Sequence, residues 1–237
     1  MSTFATIQAR VLTVLLDQTQ VAAARVDDEV RQAQRELEDK HKFLSMLSEH
    51  EFATVEDSRG PYAYPSGYLE PAVDGAPLLV DGTGALDEID WIGAYRDRAR
   101  LYSDDPTDKG APKHVFEATT GFEVFPYPDA LAPGGTLFSD GNWRIRVPCY
   151  TRLLTLTNGT DENWFTSNAE DYLVYRAASI LLQLNRSWEQ ALLVENQAAR
   201  EMQRVIRADK KRRLTKGPLL RPVSGVRAPS NAARRYR

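Results

Sequence analysis

A single cysteine, Cys149, in 237 residues excludes an internal disulfide. The three histidines, His41, His50 and His114, form no H-x-x-x-H pair and there is no C-x-x-C, so no metal ligand is assigned. No apolar run approaches the roughly 20 residues of a membrane helix. The opening "MSTFATIQARVLTVLLDQTQ" lacks the basic flank and small-residue cleavage site of a secretory signal. These absences predict a soluble, intracellular protein, for which the sequons at Asn158 and Asn185 carry no meaning. Chemistry is also scarce. "DGTG" at Asp81 lacks the Lys-Ser/Thr of a phosphate loop, and no G-x-S-x-G occurs. The acidic pairs starting at Asp27, Asp87, Asp104 and Asp161 lie in polar stretches, as solvated carboxylates do. No catalytic residue and no cofactor site is assigned, which leaves an unrecognised hydrolase as the weakest of three functional readings.

Charge is abundant but divided. The last 31 residues carry eleven Lys or Arg against one acid, a net +10, whereas residues 1–206 carry 19 against 32, a net −13. Body and tail are different objects.

Along the body, Phe4, Ile7, Val11, Val14 and Leu15 recur at helical spacing behind a cap at Ser2, predicting a helix that ends near Asp17. Val26, Val30, Ala33, Leu37, Leu44 and Leu47 predict a longer one, with Asp27, Asp28, Arg31, Arg35, Glu38 and Lys42 on its other faces. Nine of thirteen prolines then fall between Pro61 and Pro133, which excludes long helices there. "EFATVEDSRGPYAYPSGYLEPAV" reads as short strands, "KHVFEATTGFEVFPYP" as a hairpin turning at Thr119 to Gly121, and "NWRIRVPCYTRL" as a further strand. A short helix capped by Asp90, carrying Trp91, Tyr95 and Leu101 or Tyr102 and stopped by Pro106, is expected among them.

Ser167 with Glu170 forms a predicted capping box, and Tyr172, Leu173, Ala177, Ile180, Leu181 and Leu184 the buried stripe behind it. Trp164 and Phe165, just before that box, are expected to pack back onto the helix. Ser187 and Gln190 open a second helix with Trp188, Leu192, Ala198, Met202 and Val205 inward, running to about Arg213. The tight turn between them makes an antiparallel hairpin. The expected class is mainly α with a β insertion (α+β): N-terminal helices over 1–50, a β-rich subdomain over 51–160, a helical hairpin over 161–213 and an extended basic tail over 214–237.

The stretches "RQAQRELEDKHKF", "YAYPSGYLEP", "YRDRARLYSDDPTDKGAPKHVFEATTGFEVFPYPD" and "ENWFTSNAEDYLVYRAASILLQLNRSWEQA", in this order, resemble the head-to-tail adaptor (connector, or head-completion) proteins of tailed bacteriophages. The resemblance implies a helical bundle with a β-rich insertion, assembled as a dodecameric ring beneath the portal protein. It also implies a downstream neck or tail protein, genomic DNA passing through the lumen without specific binding, no membrane, and a virion protein assembled in the host cytoplasm. The family's C-terminal segment docks on the portal. Here that assigns Leu214, Leu219, Leu220, Arg221, Val223, Arg227, Arg234, Arg235, Tyr236 and Arg237, apolar anchors interspersed with charges and prolines in an extended strip. The sequence departs from the family in the length of its β-rich insertion and in its strongly basic tail. The rival reading is a cytosolic DNA-binding protein whose Lys210 to Arg213 neutralise phosphates. Against it stands the acidic body, which repels a duplex at close approach.

Overall fold

A computed structural model describes residues 2–15, 23–72, 75–80, 84–93, 107–129 and 142–216. It is an α+β molecule with two hydrophobic cores. The first is helical. Helix α1 (Phe4–Val14) buries Phe4, Ile7 and Val11, and α2 (Ala23–Lys40) buries Val26, Val30, Ala33 and Leu37, the residues the periodicity marks. They share this core with the short α3 (Trp164–Asn168), with α4 (Glu170–Leu184) and with the 29-residue α5 (Trp188–Lys216).

The helix ends differ from the sequence reading, and tertiary contacts explain why. The cap of α1 is Thr3, whose hydroxyl accepts from the Thr6 amide at 3.4 Å, while the Ser2 hydroxyl donates to the Glu170 carboxylate. The next orphan donors of α1, the Phe4 and Ala5 amides, reach the carbonyls of Asp161 and Gly159 at 3.1 and 2.9 Å. Helix α2 stops at Lys40, so Leu44 and Leu47 leave the helical stripe for a 3₁₀ turn (Leu44–Met46) and the first strand. Asp209 of α5 draws the chain away from the helix by accepting the Leu44 amide at 3.1 Å. Glu38 is buried rather than solvated, because it accepts from Gln34, the Leu153 amide and Arg152 at 2.9, 3.2 and 3.0 Å. The capping box sits one turn before its predicted place. Asn163 accepts from the Phe165 and Thr166 amides and Thr166 answers the Asn163 amide, while Ser167 lies inside α3.

The strands are β1 (Leu47–Ala53), β2 (Tyr62–Ala63), β3 (Tyr68–Pro71), β4 (Leu78–Val80), β5 (Leu86–Glu88), β6 (Asp90–Ile92), β7 (Lys109–Gly110), β8 (His114–Glu117), β9 (Gly121–Phe125), β10 (Tyr127–Pro128) and β11 (Arg144–Thr151). One sheet has the order β1-β11-β4-β5, with β3 also on β11; another has the order β2-β9-β8-β6; and β7 pairs with β10. The predicted hairpin is β8–β9, closed by the Ala118 amide donating to the Gly121 carbonyl at 2.9 Å. Asp90 and Trp91 lie in β6, parallel to β8, and so neither caps nor opens a helix; residues 94–106 of that expected helix lie outside the described residues.

Strand β11 is central yet contains Pro148. Strand β4 covers Arg144–Arg146 on one edge and β3 covers Cys149–Thr151, so the missing amide falls at the seam between them. The inward residues Ile145 and Val147 join Leu79, Ile89, Val115, Phe122, Val124 and Trp143 in the second core. Phe122 is its hub, with the rings of Phe52, Tyr64, Tyr68 and Trp91 at 5.8, 4.8, 5.5 and 6.2 Å. Gly121 allows this approach, since a Cβ there would lie 2.1 Å from the Tyr62 carbonyl oxygen.

Candidate functional site

The helical hairpin α4–α5 has two unlike ends. At its base, Asp209 is fully buried on α5 and holds three groups from two elements. The His41 ring lies 3.0 Å from one oxygen, the Arg213 Nε donates to the same oxygen at 3.1 Å, and the Leu44 amide takes the other. Arg213 also donates to the Tyr150 hydroxyl at 3.2 Å and to the Lys42 carbonyl. The last turns of α5 are thereby fixed to the α2–β1 junction. A carboxylate so placed stabilises only because its charge is met by hydrogen bonds and a cation. Around it Lys210, Lys211 and Arg212 face outward, and Leu214 is 84% exposed.

Of the residues assigned to docking, Leu214 is therefore presented on the surface, at the end of a helix that continues through Lys216. The other nine, Leu219, Leu220, Arg221, Val223, Arg227, Arg234, Arg235, Tyr236 and Arg237, lie outside the described residues.

The opposite end was misread in the sequence. Trp188 is 64% exposed, and Leu192, expected inward with it, is exposed too, as are Leu184 and Leu193. The expected Ala198 and Val205 are buried and Met202 is half-buried; in place of Trp188 and Leu192 the inward face of α5 carries Ala191, with Val194 and Ile206 half-buried. Ala177 and Ala178 of α4 and Ala191 and Ala198 of α5 are all buried in the helical core that the hairpin shares. The polar Glu195 is used there as well, accepting from Arg176 and Gln183 at 3.2 and 3.3 Å.

Titratable groups elsewhere are tuned by structure. Burial raises the Cys149 thiol, which keeps it protonated. Burial and Glu117 push the Tyr64 phenol up to about 12, and Tyr68, donating to Glu117 at 2.8 Å, is raised by the same causes. Among the described residues no group of three or more His, Cys, Asp or Glu is placed to hold a metal ion, and no helix is long and apolar enough to cross a membrane.

The long helix α5 is thus pinned at its base by Asp209 and Arg213 and displays Trp188, Leu192 and Leu193 at its start. The chain belongs to the SU10 adaptor protein family, whose model matches residues 2–222. It is thus a bacteriophage structural adaptor, a protein of the virion, in agreement with the resemblance to head-to-tail adaptors. No curated protein matches it.

Proposed function

We propose that this adaptor forms a ring, a dodecamer by the family's plan, beneath the portal protein. It docks there through residues 214–237 and offers a new surface to a downstream neck or tail protein while DNA passes through the lumen. In this reading residues 1–50 and 161–213 form the helical bundle and 51–160 the insertion that carries the sheets. The mechanism is geometric: unlike faces of neighbouring subunits meet, and the rotation between them closes a ring.

The observation that carries the reading is the base of α5. Asp209 and Arg213 fix α5 one turn before its last residue, Lys216, with Leu214 of that turn facing solvent. A fixed exit lowers the ordering cost of docking the segment that follows. Electron microscopy of the purified protein with and without portal tests this. Monomers or small oligomers alone and rings on the portal are expected, because the acidic bodies repel one another. A mixture that shows no ring, or a tail that binds duplex DNA and ignores the portal, overturns it.

A further inference from the structure

Strand β1 has one edge against β11 and one open edge. Glu49 lies opposite Pro148, which has no N–H, and the Pro148 carbonyl instead accepts from Ala72 at 2.9 Å. The residues bonded to β11 are therefore Ser48, His50 and Phe52, in line with the Thr54 amide donating to Trp143 at 2.8 Å. The amides and carbonyls of Glu49, Glu51 and Ala53 point the other way, and among the described residues nothing pairs with them. Such an edge is a template for a further strand.

Its side chains say which strand fits. Glu49 and Glu51 stand exposed on one face, where Arg146 donates to Glu51 at 2.6 Å. Phe52 is on the other face, stacked on Tyr62 and Phe122 at 4.9 and 5.8 Å. Another β1 is a poor partner, because it brings Glu to Glu, and β5, a further edge strand of this sheet, is also acidic with Asp87 and Glu88. The fitting strand carries a cation on one face, an apolar residue on the other, and no proline where a donor is needed.

We propose that residues 219–223 of one copy add as an antiparallel outer strand to β1 of a neighbouring copy. Pro218 and Pro222 have the same parity, so the odd residues 219, 221 and 223 turn their amides to β1 while both prolines face outward and cost no bond. In an antiparallel pair directly bonded residues share a face. Leu219 then meets Ala53, Arg221 meets Glu51 and Val223 meets Glu49, which sets the cation among the acids and Leu220 beside Phe52. A parallel strand inverts this and lays Arg221 on the aromatic face.

Antiparallel addition points to a neighbour's tail rather than the chain's own. Helix α5 ends beside the start of β1, since Arg213 reaches Tyr150 and Tyr150 lies opposite Leu47, so the chain's own tail would run parallel. Segment exchange of this kind is a heterologous contact, as a ring requires. This pairing takes Leu219, Leu220, Arg221 and Val223 out of the proposed portal contact and leaves residues 224–237, with Arg227, Arg234, Arg235, Tyr236 and Arg237, for the portal. The inference deepens the ring reading and rests on it for the identity of the neighbour, but the pairing is tested without a ring.

A synthetic peptide of residues 217–229 is titrated into isotope-labelled full-length protein and amide exchange is read by NMR. The Glu49, Glu51 and Ala53 amides are expected to slow by at least about tenfold at saturation, while Ser48, His50 and Phe52 keep their rates. The same peptide with Val223→Pro loses the effect, with Ser224→Pro retains it, and with Arg221→Glu binds more weakly at low salt. A paramagnetic label at the peptide's C-terminus broadens Leu47 before Ala53. Unchanged exchange at Glu49, Glu51 and Ala53, equal behaviour of the two proline peptides, or broadening nearest Ala53 overturns the pairing. If the portal still collects rings in that event, the ring reading stands without it.

Discussion

The two ends of the α4–α5 hairpin divide the tasks of this molecule. At the base, a buried carboxylate, a guanidinium and an imidazole register α5 against α2 and β1, and the exposed residues are mostly cations. At the tip, alanines pack the helices while Trp188, Leu192 and Leu193 are left to solvent. The difference shows that bulk does not decide what is buried; the space between two helices does. It also separates a surface held by directional bonds from one defined by exposed apolar area.

The sharpest way to break this contrast is at Asp209. Asp209→Ala leaves the Leu44 amide and Arg213 without their acceptor, and a loss of about 3 kcal/mol is expected in denaturant melts, the scale for removing one partner of a buried pair. Asp209→Asn keeps one acceptor oxygen but turns its NH2 toward the donor on the other side, so it retains only part of the set and is expected to cost about 2 kcal/mol. Equal losses for the two variants would show that the base needs both carboxylate oxygens.

The two tryptophans come next. Trp164 is half-buried against Phe43 and Phe165, with ring centroids at 5.1 and 5.4 Å, and Arg212 lies 5.8 Å over its ring. Trp164→Ala is expected to cost about 2 kcal/mol, below the range for a fully buried ring. Trp188→Ala is expected to stay within about 0.5 kcal/mol of the parent. A large loss at Trp188 would mean that the tip belongs to the core after all.

The smallest effect is acidic. The Asp161 carboxylate is held at about 2 by the amides of Asn158 and Thr157, and its own carbonyl accepts the Phe4 amide that starts α1. A depressed folded pKa supplies stability in full above the ordinary value near 3.8, and that stability disappears as pH falls toward about 2. Amide signals of Phe4 and Ala5 should loosen across that window, and Asp161→Asn should flatten the dependence.

How far these regions could be read from the residues follows the same division. Helical periodicity located α1, the first four positions of the α2 stripe and the β8–β9 hairpin, because local pattern and burial agree there. It failed where a distant group decides: Asp209 ends the α2 stripe before Leu44, and β8 makes a strand of Asp90 and Trp91. On α5 the inward stripe was right at Ala198, Met202 and Val205 and failed in the first turn, where Ala191 is buried and the bulkier Trp188 and Leu192 are exposed. Of the residues that the family resemblance assigns to docking, Leu214 alone is among the described residues, and it lies exposed on α5 rather than in an extended strip. The open edge of β1 had no local signal, since an edge is defined by strands that are absent beside it.

The central claim is that residues after Arg213 join this adaptor to the portal while the rest folds without them. Full-length protein and a chain truncated after Arg213 are flowed over immobilised portal, with circular dichroism recorded on both. The account predicts matching spectra, stable binding by the full chain and none by the truncated one. Undiminished binding after truncation would contradict it.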